Sequence, residues 1–180
     1  MSNDYEFVTV WRVAGTIDEV KAVLGDADPE VLPRWWPSVY LTTRLVAEGE
    51  PDGVGREVEL HTKGWLPYTL RWTLRVTEPI TDSGYSLSAN GDLDGTGVWS
   101  FKPDGPEVEI SYDWRVSATK PLLRRLTWLL RPAFAANHHW AMKKGEESLQ
   151  LEMRRRRATT DAEREQIPEP PPATFRWLTR

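Results

Sequence analysis

Alternation with a period of two dominates the middle of the chain. Tyr68, Leu70, Trp72, Leu74 and Val76 fall on one side of an extended segment, and Thr69, Arg71, Thr73, Arg75 and Thr77 on the other. That is a strand with one buried face and one wet face. Val108, Ile110, Tyr112, Trp114 and Val116 alternate in the same way against Glu107, Glu109, Ser111, Asp113 and Arg115. Shorter alternating segments cover Val39, Leu41, Thr43, Leu45 and Ala47, then Val58, Leu60 and Thr62. Further strands are predicted from about Gly84 to Asn90 and from about Thr96 to Lys102, the latter with Trp99 and Phe101 on one face. The aromatic and β-branched run Tyr5 to Val13 adds a first strand. Turn stretches such as PDGVG, KGWLP and PDGPE separate the later strands, which predicts an antiparallel meander.

Elsewhere the period lengthens. Thr16 followed by Glu19 forms a capping-box pattern before a short helix through Leu24, which Gly25 stops. A second short helical piece, PEVLPRWWPSV, is expected to be cut by Pro33 and Pro37. The longest run is Pro121 to Arg157. On a helix, Leu126, Leu130, Ala133, Asn137, Ala141, Lys144, Ser148 and Leu151 share one face. That face is apolar at first, small and polar around Asn137, and carries an ammonium at Lys144, unlike a coiled-coil seam. Pro132 divides the run; the favoured reading is a separate short helix over Lys120 to Leu130 with Pro132 in the first turn of the long one. A helix with small residues in the middle of its face leaves space beneath it. The expected fold is therefore α+β: a curved seven-stranded antiparallel sheet wrapped around a long C-terminal helix, with two short helices after the first strand.

Residues 1–157 are expected to form one domain, since 180 residues suffice for one substantial core. Residues 158–180, polar and proline-rich, read as a flexible tail. Phe175, Trp177 and Leu178 near its end read as a frayed terminus rather than a docked one.

Composition alters this picture mainly through its aromatics. Ten Trp, 5 Tyr and 4 Phe are more than a core of this size usually holds, and each indole N–H needs a partner. Two arrangements accommodate them: a Trp-rich core, or an aromatic-lined cavity. A net charge of −4 argues against nucleic acid. No apolar run approaches the roughly 20 residues that cross a bilayer, MSNDYEF lacks a signal-peptide pattern, and there is no cysteine. A cytoplasmic protein is the expectation. The Arg154 to Arg157 run reads as a solvated helix end that complements the backbone dipole, with at most transient contact to an anionic membrane surface.

Metal binding is not expected. The three histidines are His61, His138 and His139, and adjacent helical residues point about 100° apart, whereas zinc takes three or four protein ligands. The glycines Gly91, Gly95 and Gly97 with Asp92 and Asp94 fit neither a P-loop nor an EF-hand; a turn and a bend or bulge in the sheet suit them. No nucleophile elbow is present. For acid–base chemistry the candidates on inward faces are Tyr68, Tyr112, Asn137 and Lys144. Each has an alternative: satisfied core hydroxyls, an Asn bonded to a neighbouring strand, and a lysine reaching solvent.

The order of elements, with the stretches RWWPSVY (34–40), GDLDGTGVWSF (91–101) and NHHWAMKKGEESL (137–149), resembles the helix-grip proteins of the START-like (SRPBCC) superfamily. These include polyketide cyclases and dehydrases, lipid-transfer domains, the birch-pollen allergen group and ubiquinone-binding chaperones. The resemblance spans about residues 5–155 and implies a deep cavity between sheet and helix, entered near the short helices and hairpin loops. It carries over no catalytic residue and implies no cofactor. The leading expectation is a binder or carrier of a hydrophobic small molecule. Tyr68, Trp72, Trp99, Tyr112 and Trp114 would form the sheet wall, Trp35 and Trp36 the mouth, and Asn137, Trp140 and Ala141 the helix wall. The alternatives are a polyketide aromatase/cyclase or dehydrase, and a partner-binding protein with a filled core. Ligand identity and oligomeric state are not set by these patterns.

Overall fold

A computed structural model describes residues 4–119 and 121–175, with residues 121–130 as backbone only. The chain runs β1 (Asp4–Ala14), α1 (Ile17–Leu24), α2 (Val31–Trp35), β2 (Tyr40–Ala47), β3 (Glu57–Lys63), β4 (Thr69–Val76), β5 (Gly84–Gly91), β6 (Leu93–Asp104), β7 (Glu107–Ala118), α3 (Pro121–Arg157) and α4 (Asp161–Glu165). Strands β2 to β7 form the meander, and β1 returns to pair with β7, giving the order β1-β7-β6-β5-β4-β3-β2, antiparallel throughout. Among the described residues no helix is long and apolar enough to cross a membrane.

The sheet is strongly curved. Strands β4 and β7 are three places apart, about 14 Å across a flat sheet at ~4.8 Å per strand. Yet the rings of Trp72 on β4 and Trp114 on β7 lie 5.7 Å apart between centroids. Small residues on the strands between them make this convergence possible. Gly91 stands opposite Trp72, and Gly97 opposite Trp114. A Cβ on Gly97 would lie 2.6 Å from the Tyr112 hydroxyl and 2.9 Å from the Trp114 ring, so these rings lie over bare backbone. Gly91 ends β5, whereas Gly97 lies inside β6. β6 begins at Leu93, earlier than the predicted Thr96, because it pairs with β7 along its whole length, from Leu93 opposite Ala118 to Asp104 opposite Glu107.

Most inward residues of the longer alternating segments are buried, among them Val58, Leu60, Trp72, Trp99, Phe101, Ile110, Tyr112 and Trp114, and others such as Leu45, Leu70 and Leu74 are partly buried against them. The capping box forms: Glu19 N–H donates to Thr16 Oγ1 (3.3 Å), and Thr16 N–H donates to Glu19 Oε2 (2.8 Å). Pro33 does not cut α2. It lies within the first turn, where its missing N–H costs no helical bond.

Pro132 does not divide α3 either, contrary to the favoured two-helix reading: Pro121–Arg157 is one helix with the proline inside it. One backbone hydrogen bond is forgone there. Packing immediately beyond it holds the helix in place, where Phe134 meets Tyr5 and Tyr68 edge-on at 6.1 and 6.0 Å. The predicted contributions of Leu126 and Leu130 lie outside the described side chains. Further along, the buried stripe is Met142, Gly145, Leu149 and Met153, flanked by Ser148, one position on from the predicted stripe. Gly145 hides this stripe from a hydrophobic count. It is there because the Trp36 indole fills the space a side chain would need, 2.3 Å from where a Cβ would stand.

The two ends of the domain are tied together by the arginine run, which is not simply solvated. Arg157 pairs with Glu19 and donates to the Ala14 carbonyl (2.8 Å), while Arg156 pairs with Asp26 and Glu152 and donates to the Ala22 carbonyl (2.8 Å). Residues 158–175 touch the domain at a few points, while most of their side chains are exposed. Thr160 caps α4 with Glu163, Ile167 is buried, Arg155 donates to the Pro168 carbonyl, and Thr174 bonds the β3–β4 connection. Short polar segments take this form when a few apolar residues and carbonyl acceptors find ready partners. Trp177 and Leu178 lie outside the described residues.

Candidate functional site: an aromatic cavity under the long helix

Between the inner face of the sheet, α2 and α3 lies a cavity of about 210 Å³. Its sheet wall is Tyr68, Leu70 and Trp72 on or beside β4, Trp99 on β6, and Tyr112 and Trp114 on β7. Trp99, Tyr112 and Trp114 form a continuous stack, with centroid separations of 4.0 and 5.5 Å. The helix contributes Phe134, Asn137, His138, Ala141 and Met142.

Several of the polar groups at the cavity are held by other parts of the chain. Trp72 Nε1–H donates to Thr62 Oγ1 (3.0 Å), and the Tyr85 hydroxyl donates to the Leu24 carbonyl (2.9 Å). Asn137 Oδ1 accepts from the Leu66 N–H (3.0 Å), which fastens the β3–β4 connection to the helix. His138 stacks on Phe7 at 4.1 Å, with its Nε2 3.4 Å from Thr9 Oγ1. Burial, with a smaller contribution from His139, lowers the His138 pKa to about 4, so the imidazole is neutral at pH 7. Burial moves the phenols the other way: Tyr68 is pushed up to about 12, and Tyr40, Tyr85 and Tyr112 are also raised. They stay neutral donors. Among the described residues, the Tyr5 hydroxyl and the indole N–H groups of Trp35 and Trp36 are buried with no partner in the chain.

A family model described as polyketide cyclase/dehydrase and lipid transport matches residues 6–153. The chain belongs to this family. Solved structures of similar fold include the Zhui aromatase/cyclase from Streptomyces sp. R1128, at 15% identity and a TM-score of 0.67, over 87% of this chain and 97% of that one. TTHA0849 from Thermus thermophilus gives 17% identity and a TM-score of 0.58, over 81% and 97%. A START superfamily protein from Mycobacterium smegmatis gives 17% identity and a TM-score of 0.56, over 80% and 98%. No curated protein matches by sequence. At these identities the structures establish the helix-grip fold and nothing finer.

Within this polyketide cyclase/dehydrase-family fold, nine of the ten residues expected around the ligand line one cavity: Trp35, Trp36, Tyr68, Trp72, Trp99, Tyr112, Trp114, Asn137 and Ala141. Trp140 does not, because the shift of the buried stripe carries it off the cavity side. The same shift removes Lys144, whose ammonium pairs with Glu147 at 2.8 Å. Trp35 and Trp36 are not an open mouth. Both are buried, at 1% and 4% exposure, with Trp36 wedged among Trp11, Tyr40 and Gly145. Two lining residues lay beyond the alternation pattern. An irregularity in the β2–β3 register between Tyr40 and Thr42 accompanies the arrival of Tyr40 at the cavity beside Val39. Lys63 follows the inward Thr62, and alternation would send it out, yet it is buried and lines the cavity as well.

Proposed function

We propose that this protein binds a hydrophobic small molecule, aromatic or lipid-like, in the cavity beneath α3, as a binding or carrier protein. The observation that carries the reading is the stacked wall of Trp99, Tyr112 and Trp114 facing an unfilled space of about 210 Å³. That volume is below the ~300–1,000 Å³ of typical ligand pockets, so it suits a bicyclic or tricyclic aromatic, or a short acyl chain. Apolar ligand surface buried there gains about 25 cal/mol per Å². The unpartnered Tyr5 hydroxyl and Trp35 and Trp36 indoles offer the directional contacts. The test is native mass spectrometry of protein purified from its own host, with Trp fluorescence titration against a hydrophobic panel. A retained small molecule or a saturable fluorescence change is expected. Protein that is always empty and never responds removes the reading.

A second reading is an aromatase/cyclase or dehydrase acting on a polyketide-like chain, favoured by the family description and by the neutral His138 imidazole at the cavity. His138 would accept or relay a proton while the walls fold the chain. Its low pKa makes it a weak base, Tyr68 and Tyr112 hold their protons, and Asn137 is engaged with Leu66, so binding remains the stronger reading. Turnover of a polyketide-like substrate that is lost in His138→Gln would reverse that order.

A further inference from the structure

Lys63 is 2% exposed, at the end of β3. Among the described residues, every partner of its ammonium is neutral: the carbonyl of Thr174, the Thr174 hydroxyl at 3.0 Å, and the Phe175 ring at 5.2 Å. Covering a cation without an opposite charge disfavours the charged form, and burial accordingly lowers its pKa below the ordinary lysine value. The same residue lines the aromatic cavity beside Thr62, Gly64 and Tyr68. The cover comes from the tail. Thr174 also donates toward the carbonyls of Gly64 and Trp65 at 3.3 Å, and Phe175 takes a positive φ of 48° to complete the contact. Two neutral oxygens and a ring satisfy the ammonium's geometry but do not compensate its charge.

We propose that Lys63 receives the carboxylate of an amphipathic ligand whose apolar body fills the cavity, and that the Thr174–Phe175 segment is a strap that occupies Lys63 until such a carboxylate displaces it. This rests on the cavity-binding reading and narrows it to acids. The ammonium's bonds to the strap are already charge-assisted, but only a carboxylate adds an opposite charge to the covered cation. The acid therefore gains over a neutral analogue of the same shape, and the strap's neutral acceptors compete poorly.

The experiment is calorimetric titration of the full chain with two matched pairs, naphthoate against naphthamide and dodecanoate against dodecanol. In at least one pair the acid is expected to bind about tenfold tighter than its neutral partner. Lys63→Met, which keeps the apolar stem, should erase that preference, and Lys63→Arg should retain it. Thr174→Val, which loosens the strap, should tighten acid binding severalfold and leave the neutral analogue unchanged. Equal binding of acid and neutral partner, or a preference that survives Lys63→Met, overturns the carboxylate assignment while leaving the cavity function standing. An unchanged acid affinity in Thr174→Val overturns the strap. If none of the four probes binds, the cavity reading fails and this inference falls with it.

Discussion

At the scale of single residues, two positions show opposing effects whose magnitudes decide the outcome. Gly145 sits inside a long helix, where Ala would ordinarily be favoured by about 1 kcal/mol. A Cβ there would stand 2.3 Å from a Trp36 indole that is itself clamped by Trp11 and Tyr40. Overpacking of a closed core costs ~1–3 kcal/mol, so Gly145→Ala should be net destabilising by up to about 2 kcal/mol in urea denaturation, against the helix-propensity trend. His138 provides the acid limb of stability. Its imidazole titrates near 6.5 when unfolded and about 4 in the fold, so the unfolded chain binds more protons between these values. Its contribution is complete above pH 6.5 and declines as pH falls toward 4, by at most about 3 kcal/mol. Denaturation midpoints across this window should fall less steeply in His138→Gln than in the wild type.

Among the elements, α3 carries the most, because it roofs the cavity, fastens the β3–β4 connection and locks α1. The lock is the Arg157–Glu19 pair, which holds the Glu19 carboxyl down at about 2, mainly through the arginine's hydrogen bond. Both side chains are about a third exposed or more, at 42% and 33%, so solvent screening limits the pair to about 1 kcal/mol. Arg157→Ala should cost that much at pH 7. The difference from wild type should disappear as pH falls from the ordinary carboxylate range toward 2, since a depressed pKa stabilises only above the unfolded value. Pro132 offers the opposite test. It is exposed in the helix interior, and restoring the missing N–H with Pro132→Ala should raise stability by about 1–3 kcal/mol, read as an increase in denaturation midpoint.

For the whole molecule, the tail makes a few defined contacts with the domain. Ile167 is buried, and residues 170–175 run to the β3–β4 connection. A chain ending at Arg157 should stay folded but lose about 2 kcal/mol, the value of one buried aliphatic side chain plus a net hydrogen bond or so, as measured by chemical denaturation. The strands, the inward faces of those that alternate cleanly, the first capping box and the helical run after the last strand could be read directly from the chain, because alternation, turn chemistry and helical spacing are local properties that burial of one face imposes on sequence. Seven of the nine cavity residues could be read for the same reason, whereas Trp35 and Trp36 were expected at the mouth and are buried instead. What local pattern does not hold is the phase of a helix whose buried stripe contains a glycine, or a register irregularity beside which Tyr40 faces the cavity. Nor does it hold a lysine whose surroundings are supplied by Thr174, 111 residues further along. Sequence by itself determined which side of each cleanly alternating strand is apolar. Only the tertiary structure decided that Trp72 and Trp114 meet across bare glycines, that Lys144 leaves the cavity while Lys63 enters it, and that the tail covers that lysine. Each of these depends on which distant surface fills the space beside a residue, and the neighbours in sequence do not specify it.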